Sequence, residues 1–64
     1  MKRKARVRYT NKCEFGQDGY AVEIYSDGEW GLDTFFPITN SQIHAGIINK
    51  LSMLKDCGYE VRYV

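Results

Sequence analysis

Sixty-four residues, 44% hydrophobic and 27% charged, make one domain and are too apolar for a disordered tail. The net charge of +1 is split unevenly: residues 1–12 carry +6 with no acid, and residues 13–64 carry −5. No apolar run suffices for a signal peptide or membrane span, and two cysteines, Cys13 and Cys57, do not make a disulfide framework. The expected setting is therefore a reducing cytoplasm with free thiols.

Ala5, Val7 and Tyr9 alternate with Arg6, Arg8 and Thr10, which predicts a first strand from Lys4 to about Phe15. Gly16-Gln17-Asp18-Gly19 then marks a turn. That turn would set Phe15 against Tyr20, Cys13 against Val22 and Lys12 against Glu23, leaving basic residues 2–8 to pair elsewhere. A second strand is expected over Tyr20–Tyr25, with Tyr20, Val22 and Ile24 on its apolar face. A third runs from Glu29 to about Phe36, with Trp30, Leu32, Thr34 and Phe36 on one face.

Register tests the turn between them, because cross-strand partners share a face. A two-residue Asp27-Gly28 loop would oppose Ile24 to Gly31 and Val22 to Asp33. A three-residue Ser26-Asp27-Gly28 loop opposes Ile24 to Trp30 and Val22 to Leu32, and is the expected form, with Gly28 in a left-handed bulge position.

Pro37 has no N–H for a ladder and stops the third strand. Thr39-Asn40-Ser41-Gln42 has capping-box spacing, and the helix is expected to run to about Cys57, with Gly58 ending it. Ile43, Ile47, Leu51 and Leu54 fall on one stripe that must cover the sheet. A last strand, Tyr59–Val64, follows. A right-handed crossover makes it parallel to the third strand, and pairing with the first strand's basic half gives the order 4-1-2-3. The expected fold is α+β: βββαβ, a four-stranded mixed sheet with one helix on one face. The expected core is Val7, Tyr9, Val22, Ile24, Trp30, Leu32, Ile43, Ile47, Leu51, Leu54 and Val61.

Three surfaces are candidate sites. The helix side opposite the apolar stripe holds Gln42, Ala45, Asn49, Ser52, Met53 and Asp56, of which only Asp56 is charged. Small neutral groups let another protein approach without burying charge, so this face suits a partner or self-association. The sheet face away from the helix should carry Tyr25 and Phe35, a second partner-binding surface. The basic stretch Lys2, Arg3, Lys4, Arg6 and Arg8 could instead follow phosphates of a nucleic acid. Against this, Glu23 and Asp33 are expected on the same outward face, where they would pair with the arginines and repel phosphate.

His44 and two distant cysteines do not match a metal-ligand spacing. No third group marks His44 and a cysteine as a nucleophile pair, and one helix on one sheet leaves little volume for a cleft. The expectation is a non-enzymatic interaction protein without cofactor that binds, and so inhibits or adapts, a protein partner. Free-standing regulators of this size are often encoded by viruses or mobile elements. The alternative is a nucleic-acid-binding module built on the basic strand.

Overall fold

The computed structural model describes residues 3–11 and 16–64. Five elements follow in chain order: strands β1 (Arg3–Thr10), β2 (Gly19–Ser26) and β3 (Glu29–Pro37), helix α1 (Ile43–Asp56), and strand β4 (Tyr59–Tyr63). The four strands form one sheet in the order β3-β2-β1-β4. β1 is antiparallel to β2 and parallel to β4, and β2 is antiparallel to β3, which is the expected mixed topology.

The helix covers one face. Ala5 and Val7 of β1 and Val22 of β2 are buried against Leu51 and Leu54. Tyr20, Ile24, Phe36, Ile47, Tyr59 and Val61 pack around this cluster. Helix and sheet approach closely at Gly46: a Cβ there would lie 2.8 Å from Cε1 of Phe36. The mid-helix glycine thus admits an aromatic ring from β3, at a cost of about 1 kcal/mol in helix propensity.

Three expectations about the elements are corrected. The first is the pairing of β1. It is the basic half itself that pairs with β2, Val7 opposite Val22 and Arg6 opposite Glu23, while the same residues pair with β4 on the other side. The connection to β2 is therefore longer than four residues, and the expected continuation through Lys12, Cys13 and Phe15 lies outside the described residues.

The second is the β2–β3 turn. Asp27 (φ 53°) and Gly28 (φ 83°) both adopt left-handed backbone and form a two-residue turn. Tyr25 faces Trp30 and Ile24 faces Gly31, the register judged unfavourable from sequence. A β-bulge reconciles it with the hydrophobic pattern. Glu23 pairs with Leu32 but Val22 pairs with Thr34, so Asp33 is an extra residue in β3. Beyond the bulge, Thr34 and Phe36 return to the helix side. Before it, Trp30 and Leu32 face away. Neither belongs to the helix-side core, and Leu32 is 51% exposed. Tyr9 is also outside the core, at 48% exposure.

The third concerns the helix start. Gln42 makes no side-chain cap; Asn40 Oδ1 accepts the Gln42 N–H at 2.9 Å instead. Asn40 is therefore the residue that turns the chain into α1. The helix ends at Asp56, and Gly58 at φ 90° reverses the chain into β4 as expected.

Candidate functional site: the open face of the sheet

The face without a helix is built around one buried carboxylate. Glu23, central in the sheet on β2, is only 7% exposed. Arg6 Nε donates to its Oε1 at 2.6 Å, Arg8 Nε to the same oxygen at 3.1 Å, and Arg8 Nη2 to Oε2 at 3.2 Å. The Arg8 hydrogen bonds are the largest influence holding the Glu23 carboxyl below the ordinary carboxylate range, outweighing the burial that would raise it. Strand alternation explains the trio, since Arg6 lies directly across from Glu23 and Arg8 two residues along on the same face.

Trp30 completes the arrangement from β3. The Arg6 guanidinium sits 4.2 Å from the indole centroid, and Tyr25 meets the indole edge-on at 5.3 Å and 67°. Lys4 Nζ lies 5.9 Å from the Tyr25 ring. A guanidinium over indole contributes about 1 kcal/mol at a half-exposed position. The result is a locked layer in which Glu23 holds Arg6 and Arg6 is held over Trp30. Beside it, Lys4, Ala5, Trp30, Glu60 and Arg62 line a hollow of about 190 Å³. That is below the range of small-molecule sites and suits one inserted side chain.

Tyr25 lies on this face and is exposed, as expected. Phe35 is also on it, opposite Ala21, but is half-buried: its ring occupies the space a side chain at position 19 would need, 2.6 Å from that Cβ. Arg6 and Arg8 share the single carboxylate of Glu23, which offsets one of their two charges, and Lys4 is exposed on the same face. Arg3 is on the helix side, 5.7 Å from the Tyr59 ring, so the basic stretch does not form one surface. Lys2 lies outside the described residues. Asp33, expected outward, instead forms a 2.6 Å ion pair with Lys50 of α1, because the bulge turns it to the helix side. The Lys50 hydrogen bond is the main cause that lowers its carboxyl pKa.

The helix residues Gln42, Ala45, Asn49, Ser52 and Met53 are all exposed. Along the flank of α1 nearer β4, Val7, Tyr20, His44, Ile47, Ile48 and Tyr63 line a groove of about 380 Å³. Among the described residues no three His, Cys, Asp or Glu side chains gather as a metal site, and Cys57 is a free, exposed thiol. None of the described helices is long and apolar enough to cross a membrane.

Trp30 and Leu32 are the site residues that sequence reasoning missed. Asp27-Gly28 was the available signal, since that dipeptide favours a two-residue hairpin turn. Comparison with family models, with curated proteins and with solved structures gives no match.

Proposed function

We propose that the protein is a non-enzymatic interaction module that binds a protein partner through the open face of its sheet. The observation that carries this reading is the placement of Trp30, Tyr25 and Leu32 beside Arg6 and Arg8 on the face the helix leaves uncovered. Tryptophan, tyrosine and arginine dominate the energetics of protein interfaces, and rigid ones lose little entropy on binding. Here the Glu23 bonds hold both arginines in place before any partner arrives.

The same bonds weigh against nucleic acid as the main ligand. A phosphate reaching Arg6 or Arg8 would have to compete with the carboxylate that both already bond. They weigh against turnover as well. Glu23 and Asp33 are both held ionised by basic partners, which suits structure better than proton transfer.

The test is capture of a partner from an extract of the native host, using immobilised wild type and two pairs of variants. Trp30→Ala and Leu32→Glu on the sheet should abolish capture while circular dichroism shows an intact fold. Asn49→Arg and Ser52→Glu on the helix should leave it unchanged. Capture that survives the sheet variants, or a captured fraction that is nucleic acid and is lost steeply with salt, would overturn the reading.

A further inference from the structure

The two edges of the sheet are treated differently. β3 carries the Asp33 bulge and ends at Pro37, two devices that block edge-to-edge pairing. β4, the other edge, has neither; its sequence is Tyr59-Glu60-Val61-Arg62-Tyr63.

The backbone of β4 sets which residues could bond outward. The Val64 N–H donates to the Val7 carbonyl of β1 at 3.0 Å. Alternation along a parallel ladder then turns the N–H and C=O groups of Glu60 and Arg62 toward β1 as well. Those of Tyr59, Val61 and Tyr63 point to the free edge.

From this self-complementary edge we infer that β4 pairs antiparallel with β4 of a second copy of the chain, about a two-fold axis at Val61. In that register Val61 exchanges both main-chain bonds with its counterpart, and Tyr59 does the same with the second copy's Tyr63. The outward-bonding residues are thus the ones that pair narrowly. Between them, Glu60 of each copy lies opposite Arg62 of the other, close together on the open face. Within one strand these two side chains already bond at 3.0 Å, and each gains a further opposite charge across the axis. A two-fold axis at Glu60 or at Arg62 would oppose like charges instead.

The apolar groups left at this edge fit the same arrangement. Tyr63 and Val64 are each 73% exposed, and Ile48, on the α1 flank that shares a groove with Tyr63, is 62% exposed. Pairing through β4 brings the second copy's edge beside all three, and an isologous interface of this kind closes on itself as a dimer. The two open faces become one continuous surface with two Trp30 sites.

Sedimentation equilibrium on the full chain tests the inference. The wild type should dimerise with a micromolar or tighter Kd. Glu60→Arg and Arg62→Glu, each alone, should weaken dimerisation by about tenfold or more, because each opposes like charges twice. An equimolar mixture of the two variants should recover a heterodimer, and the double exchange Glu60→Arg with Arg62→Glu, which keeps the net charge, should recover the homodimer. A wild type that stays monomeric would overturn the inference. So would a dimer indifferent to both single variants, or a mixture that fails to associate. The functional reading fails or stands separately: Trp30→Ala should leave dimerisation intact.

Discussion

Glu23 shows how one residue can decide what a surface is for. From sequence, six basic residues among the first twelve invite a phosphate-binding reading, and the acids that answer them are far along the chain. Folding brings Glu23 between Arg6 and Arg8, so two members of the apparent basic patch enter a part-buried ion-pair cluster with Trp30 over Arg6. The carboxyl's folded-state pKa lies below its unfolded value, so its stabilisation is fully present above the ordinary carboxylate range and is lost as pH falls through the lowered folded value. Glu23→Gln should cost about 2 kcal/mol at neutral pH, since it removes the carboxylate charge that both half-buried arginines bond. Urea denaturation at a series of pH values checks both points. The gap between wild type and variant should close on acidification below the ordinary carboxylate range, and a gap that persists unchanged there would contradict the ion-pair account.

At the scale of elements, most of the fold was legible because it depends on coarse signals. Alternation marked the strands, the stripe of Ile43, Ile47, Leu51 and Leu54 marked the helix, and crossover handedness placed β4 beside β1. The β2–β3 register was misread, although Asp27-Gly28 signalled the two-residue turn. A bulge shifts the register by one residue and leaves no mark in composition, so Trp30, Leu32, Thr34 and Phe36 read as one continuous face when in fact they divide at Asp33. The open-face site was half legible for the same reason: Tyr25 and Phe35 were placed correctly, and Trp30 was assigned to the wrong side. The bulge makes an unusual expectation about a deletion. Removing Asp33 should regularise the ladder, keep every other β2–β3 partner, and lose the Lys50 ion pair and the Thr34 hydroxyl bond. The shortened chain should stay folded within about 2 kcal/mol of the wild type, a typical single-site effect. Loss of the folded state in thermal melts would show that the pairing has no extra residue at that position.

As a whole molecule, the protein is a thin layer with one finished side. The helix supplies the apolar cover for Ala5, Val7 and Val22, and nothing among the described residues provides the same for Trp30 and Tyr25. A chain this short buries only about 60% of the surface it exposes when unfolded. A partner on the open face and a second copy along β4 would each add burial that the single chain lacks. The first of these readings depends on Trp30 standing on the side of the sheet away from α1. The most direct measurement is the set of nuclear Overhauser contacts from the Trp30 indole in solution. The expected contacts are to the Tyr25 ring and the Arg6 side chain, with a strong cross-strand Hα–Hα contact between Tyr25 and Trp30. Contacts from the indole to the methyl groups of Leu51 or Leu54 would place it beneath the helix and contradict the account.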